Sequence, residues 1–145
     1  MRQATISGFG DAVAEVTDIM ERFGYGHCAL CLDDLWSVRD RTVFHDRGSH
    51  DADRALDWAQ CAVLNDECVT RIVLVSAVSG DVREPREDDI AYFGRAVRVF
   101  GEHGVDIVDW ILHDGDTYRS MAFTVDPDGA WGGLAAHGGT PTGAT

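Results

Sequence analysis

Residues 72–78, IVLVSAV, form the longest apolar run in the chain and constrain its fold more than any other feature. Polar residues precede the run, and Ser79 and Gly80 follow it. It is far shorter than the ~20 residues that a membrane-spanning helix requires. An unbroken apolar run of this length is typical of a strand that is buried on both faces. The sequence therefore predicts a central strand over 71–78 and no membrane-spanning segment.

Hydrophobic periodicity divides the remainder of the first 125 residues into further elements. Apolar side chains at helical spacing predict helices over 11–23, over about 53–65, and from Asp88 or Asp89 to Gly101. The other predicted strands are 27–34, 36–38, 42–45, 105–112 and 117–124, with a polar turn at 39–41 and a DG hairpin turn before residue 117. We expect one α/β domain with a mixed sheet over residues 1–125.

The composition changes after residue 125. Residues 126–145 are rich in Gly, Ala and Thr and show no hydrophobic periodicity. Such a segment has too few apolar side chains to form a core of its own. The sequence predicts a disordered tail over 126–145, and contact of Trp131 and Leu134 with the domain is the alternative.

The charge balance argues against two classes of partner. The chain has 145 residues with 12 basic and 25 acidic side chains, for a formal net charge of −13, and every basic residue is arginine. Nucleic-acid binding needs clustered cations to contact phosphates, so nucleic acid is an improbable partner. Docking on an anionic membrane surface is disfavoured for the same reason.

The four cysteines, Cys28, Cys31, Cys61 and Cys68, do not form a secreted disulfide pattern. Cys28 and Cys31 lie in a predicted strand, where positions three apart point to opposite faces. No signal peptide is visible, and the expected compartment is a reducing cytoplasm. Buried packing is the favoured role of these thiols. A relocated metal site at Cys28 or Cys31, with His27 or His45, is the alternative.

The other ring-bearing residues also have ordinary interpretations. Trp36, Trp58 and Trp110 are placed as core or interface residues. His113, at the edge of the predicted hairpin, is expected to be solvated.

Two strings resemble the JAB/MPN (JAMM) domain superfamily, and most closely its RadC-like branch. The first is residues 72–90, IVLVSAVSGDVREPREDDI, which is similar to the family's buried strand, H-x-H-P-S-G-D motif and P-S-x-x-D-I helix start. The second is residues 104–123, GVDIVDWILHDGDTYRSMAF, which resembles the family's later strand, glycine turn and serine-bearing strand. The resemblance covers about residues 27–124 and implies a layered, cytidine-deaminase-like fold.

The resemblance also implies a zinc hydrolase, whose metal is held by two histidines and an aspartate. Asp89, with Asp88 as the competing choice, matches the aspartate, and Ser79 matches the serine that stabilises the oxyanion. The histidines are absent. One alignment places Val75 and Ala77 at their positions, and another places Ser76 at the first.

The general-base glutamate of the family is missing as well, because no glutamate occurs between Glu21 and Glu67. Asp33, Asp34 or Asp46 could replace it only with a shorter side chain. The resemblance therefore implies a metal-free relative that uses no cofactor and acts as a protein-interaction or assembly module, with a second copy of the chain or another polypeptide as its partner. What would be left of the active site is a remnant pocket formed by Ser76, Ser79, Asp81 and Asp89. The alternative is a hydrolase or small-ligand-binding protein that uses Ser79 and Asp89 in that pocket.

Overall fold

The computed structural model describes residues 5–23, 27–44, 66–77, 87–113 and 117–131. The predicted helix over 53–65, the hairpin turn at 114–116 and residues 132–145 lie outside these ranges. No helix in the described part of the chain combines the length and the apolar character needed to cross a membrane.

Within the described residues, five strands form one mixed sheet in the order β2-β1-β3-β4-β5. The strands are β1 (His27–Leu32), β2 (Val38–Phe44), β3 (Arg71–Ala77), β4 (Asp106–His113) and β5 (Tyr118–Ser120). β3 and β4 are parallel, and the other neighbouring pairs are antiparallel. β3 lies at the centre, and residues 72–76 are all buried. The prediction of a central strand in a mixed α/β domain is confirmed.

The described part of the chain also contains two long helices, one before β1 and one between β3 and β4. α1 (Phe9–Phe23) buries Phe9, Ala12 and Val16, which recur at helical spacing. α2 (Glu87–Gly101) connects the parallel strands β3 and β4, and it buries Phe93, Ala96 and Phe100 in the same way. Its first turn carries the three carboxylates of Glu87, Asp88 and Asp89, which interact favourably with the helix dipole.

The prediction of two short strands, 36–38 and 42–45, separated by a polar turn at 39–41 is wrong. β2 is one continuous strand over Val38–Phe44 that pairs with β1, and the polar residues Arg39–Arg41 lie within it. Arg41 reaches Glu15 of α1, with 2.9 Å between Nε and Oε2, and Arg39 reaches Asp66 over 3.0 Å. Polar side chains on an edge strand can face solvent and α1 at once, so a polar triplet need not mark a turn.

The predicted strand over 117–124 is confirmed only in its first part, where β5 pairs with β4, and its extension beyond Ser120 is wrong. β5 ends at Ser120, and a short helix, α3 (Met121–Val125), follows directly. Ser120 caps α3, because its hydroxyl accepts a hydrogen bond from the Phe123 amide over 3.1 Å.

The packed core continues beyond α3 into residues that the sequence assigns to the tail. Ala130 is 7% exposed and Trp131 is 2% exposed. The Trp131 ring makes edge-to-face contact with Phe9 of α1, at 6.3 Å between ring centroids. Ala130 and Trp131 therefore pack on the domain.

Candidate functional site

The parallel pair β3 and β4 has a carboxyl end, where Ser76 pairs with Leu112 and Ala77 pairs with His113. The sequence places the remnant pocket at this end. Ser76 is only 5% exposed, and its hydroxyl accepts a hydrogen bond from Trp110 Nε1 over 2.8 Å. The Ser76 hydroxyl is thus part of a buried contact that joins β3 to β4.

The other members of the predicted remnant pocket are less fully described. Asp89 is half-buried in the first turn of α2, with Asp88 exposed beside it. Ser79 and Asp81 lie outside the described residues, so their approach to Ser76 and Asp89 stays a prediction.

The described residues at this end do not fit a zinc ion. Val75 is buried and offers only an alkyl side chain, and the Ser76 hydroxyl is a neutral group that is already hydrogen-bonded to Trp110. Among the described residues, no group of three or more His, Cys, Asp or Glu side chains converges so as to hold a metal.

The prediction that His113 is solvated is wrong. This residue is fully buried, and its ring stacks on that of Tyr118, with 5.1 Å between centroids. The Tyr118 hydroxyl in turn shares a hydrogen bond of 2.9 Å with Thr17 of α1. His113, the last residue of β4, therefore packs against Tyr118 of β5.

The thiols of β1 belong to the core. Cys28 is 2% exposed and Cys31 is 0% exposed, and both are free. Burial raises the pKa of each thiol to about 12. The thiolate, which is the form that attacks electrophiles and binds metals, is therefore disfavoured at both positions. His45, the predicted partner in a relocated metal site, lies outside the described residues.

Asp109 of β4 is fully buried and connects this strand to the segment that contains residues 120–131. Its Oδ2 accepts hydrogen bonds from Ser120 Oγ at 2.5 Å and Trp131 Nε1 at 2.8 Å, and its Oδ1 accepts one from the Ala122 amide at 2.9 Å. Burial raises the pKa of Asp109, and these hydrogen bonds oppose that effect. Asp109 thereby ties β4 to β5, to α3 and to Trp131.

A cavity lies at the amino end of the same two strands, and we call it the amino-end pocket. Its volume is about 540 Å³, which is within the range of sites that bind small molecules or side chains. Arg71 and Asp106, the paired first residues of β3 and β4, line it together with Trp36, Asp126 and Trp131. The apolar part of the wall comes from Phe93, Ile107, Val108, Ala122, Val125 and Ala130.

Trp36 and Trp131 give the amino-end pocket its aromatic wall. Their rings stack on each other, with 6.2 Å between centroids and 22° between planes. Both residues have left-handed backbone conformations, with φ of 62° for Trp36 and 63° for Trp131. This region is unfavourable for a large side chain, at about 1–3 kcal/mol for each residue. Such strain persists only where surrounding contacts impose it, and it is concentrated at functional sites.

The contacts that impose this conformation on Trp36 are local. The Asp33 carboxylate accepts hydrogen bonds from the amides of Leu35 at 2.9 Å and Ser37 at 3.0 Å. The Trp36 amide donates to the Asp33 carbonyl at 3.0 Å, and the Trp36 carbonyl accepts from the Ile6 amide at 2.9 Å. The loop between β1 and β2 is therefore fixed at both ends of Trp36.

Arg71 adds a cation to the aromatic wall. Its guanidinium carbon lies 4.6 Å from the centroid of the Trp36 ring, which is a cation–π contact. Nη1 donates to the Asp33 carbonyl at 2.9 Å and lies 3.8 Å from the Asp34 carboxylate. Asp33 and Asp34, which the sequence weighs as replacements for a catalytic glutamate, instead position Arg71 and Trp36.

Sequence reasoning missed the amino-end pocket, although one signal was available. Asp109 lies within the apolar string IVDWIL, and a carboxylate in a buried strand requires hydrogen-bond donors from elsewhere in the fold. Trp131 supplies one of those donors and at the same time lines the pocket. Nothing in the local sequence pairs Trp36 with Trp131, since they are 95 positions apart.

Comparison with known proteins returned no matching family model and no matching curated protein. The resemblance to the JAB/MPN domain therefore depends on the two sequence strings alone.

Proposed function

We propose that this chain is a non-catalytic module, similar in origin to the metal-free RadC-like domains, that binds a protein partner through the amino-end pocket. The observation that carries the proposal is the stacked pair Trp36 and Trp131, held in strained backbone conformations beside Arg71. Tryptophan and arginine are the residues that most often dominate the energetics of protein interfaces.

The rim of the amino-end pocket supports a macromolecular partner. Val125, which lines the cavity, is 52% exposed, and Leu35, which directly precedes Trp36, is 78% exposed. Large apolar side chains that are exposed beside a cavity add apolar surface that a bound partner can cover. A partner peptide can use the cavity and the rim together.

The carboxyl end supports the non-catalytic part of the proposal. Ser76 holds the Trp110 indole, and the aligned position Val75 is an alkyl side chain in the core. In the described residues, these positions contribute to packing between β3 and β4. A hydrolase or small-ligand site at Ser79 and Asp89 stays the alternative prediction.

Photo-crosslinking in the native cell tests this proposal. A benzophenone amino acid placed at Leu35 should yield a discrete adduct with one polypeptide, because this position borders the pocket. The same amino acid at Glu102, which is exposed in the turn after α2, is the matched control. No adduct at Leu35, or the same adducts from both positions, would contradict binding at the amino-end pocket.

A further inference from the structure

The amino-end pocket is lined by two carboxylates and one cation. Asp106 and Asp126 are both exposed and both line the cavity. In the described part of the chain, neither takes part in a salt bridge. The cation of the pocket is Arg71, whose Nη1 lies 3.8 Å from the carboxylate of Asp34. Asp34 itself does not line the cavity. The four charged groups together therefore carry an excess of negative charge.

The second carboxylate, Asp126, is held by a tight turn. Its Oδ1 accepts a hydrogen bond from the Gly129 amide at 3.1 Å. A Cβ atom at Gly129 would overlap with Asp126 Oδ2, so a residue other than glycine would force this carboxylate to move. The turn from Asp126 to Gly129 thus presents a carboxylate beside Ala130 and Trp131, which form part of the apolar wall.

The chemistry of this lining selects its occupant. Apolar and aromatic walls favour an aliphatic stem, and carboxylates favour a cationic head group at the end of that stem. The net charge of −13 also attracts a cationic partner and repels an acidic one. A lysine or arginine side chain combines an aliphatic stem with a cationic head.

We propose that the amino-end pocket binds a basic side chain, lysine or arginine, from a partner polypeptide, with the head group at Asp106 and Asp126 and the stem along the apolar wall. This proposal rests on the proposed function, since it specifies the partner segment that the same pocket accepts.

Binding of capped model peptides tests the charge requirement directly. The probe is an acetylated and amidated fluorescent peptide with lysine between two leucines, and its analogues replace lysine with norleucine or glutamate. The lysine peptide should bind, and the other two should bind at least about tenfold more weakly, which corresponds to about 1.4 kcal/mol. Fluorescence anisotropy measures each affinity.

Paired variants separate the pocket from the overall charge. Asp106→Asn with Asp126→Asn should weaken the lysine peptide about tenfold. Asp88→Asn with Glu102→Gln removes the same charge from exposed positions outside the cavity lining, and should change the affinity less than about twofold. All four positions are exposed, so the folded state is retained. Equal loss in both double variants would overturn the proposal.

Carbodiimide coupling locates the contact. Because the chain contains no lysine, a peptide lysine competes with no lysine side chain of the protein for activated carboxylates. Adducts concentrated at Asp106 or Asp126 would support the proposal, and adducts spread evenly over exposed carboxylates would contradict it.

The outcomes distinguish the two proposals. If the norleucine peptide binds as tightly as the lysine peptide, the requirement for a cation is wrong while binding at the pocket stands. If none of the peptides binds at millimolar concentration, the basic-side-chain proposal is overturned, and the crosslinking at Leu35 decides the proposed function independently.

Discussion

The two ends of the parallel pair β3 and β4 are built in opposite ways. At the carboxyl end, Ser76 and His113 are buried and are held by Trp110 and Tyr118. At the amino end, Arg71 and Asp106 border a cavity of about 540 Å³. The resemblance to a hydrolase family directs attention to the first end, and the geometry directs it to the second.

The difference lies in what the side chains do for the fold. At the carboxyl end, the Ser76 hydroxyl is hydrogen-bonded to Trp110 and the His113 ring is stacked on Tyr118, and both contacts lie inside the core. At the amino end, two tryptophans keep unfavourable backbone conformations, which costs stability. The strain beside the cavity is the observation behind the binding proposal, whereas the buried contacts of Ser76 and His113 are part of the core packing. The four predictions below test this contrast.

The largest expected effect comes from Asp109→Ala. The substitution leaves the buried donors of Ser120, Ala122 and Trp131 without their acceptor. We expect a loss of about 3–4 kcal/mol in the free energy of unfolding. Urea denaturation measures it. The control is Asp106→Ala, an exposed position on the same strand, which should cost less than about 0.5 kcal/mol. If the two variants lost the same free energy of unfolding, the distinction between the buried carboxylate of Asp109 and the exposed carboxylate of Asp106 would be wrong.

A smaller loss is expected from Ser76→Ala. The Trp110 indole then has no acceptor at this position, and the free energy of unfolding should fall by about 1–2 kcal/mol. In the double variant with Trp110→Phe, the loss should be smaller than the sum of the two single losses, because both remove the same hydrogen bond. Strict additivity would show that the contact contributes nothing to stability.

The pH dependence of stability should carry the signature of Asp109. Burial raises its pKa above the ordinary value of 3.8, so the folded state binds more protons than the unfolded state between the two pKa values. Its contribution is complete below the unfolded pKa and is lost as pH rises through the folded pKa, with a slope of at most about 1.4 kcal/mol per pH unit. The free energies of unfolding of the wild type and of Asp109→Asn are measured from about pH 4 upward. Their difference at each pH gives the contribution of Asp109. A wild-type protein that gains stability relative to the variant over this window would contradict the assignment.

The smallest effect on stability is expected at the rim of the pocket. Leu35 is 78% exposed, so Leu35→Ser should change the free energy of unfolding by less than about 0.5 kcal/mol. The same substitution should weaken partner binding, because it removes apolar surface beside Trp36. A marked destabilisation would mean that this loop belongs to the packed part of the molecule.

The elements that depend on local pattern were predictable from sequence. The apolar run predicts β3, and the apolar spacing from Ile90 to Phe100 predicts α2. Of that predicted stripe, Phe93 and Phe100 are buried, whereas Ile90 and Val97 are each 40% exposed. Both signals are repeated every few residues, so they do not depend on distant parts of the chain.

The features that the local pattern did not reveal depend on contacts between distant residues. The 117–124 region becomes a helix after Ser120 because Asp109 accepts hydrogen bonds from Ser120 and from the Ala122 amide. Trp131 packs because Phe9 and Trp36 meet it from other parts of the chain. No window of sequence contains such pairs, and the amino-end pocket is made from them.

The hydrogen bonds to Asp109 also have a consequence for how the molecule opens. A buried carboxylate loses its donors if residues 120–131 detach from β4, so separation of that segment alone leaves an unpaired polar group in the core. The segment and β4 should therefore behave as one cooperative unit. Hydrogen exchange at the Ala122 amide should then follow the same opening reaction as exchange along β4.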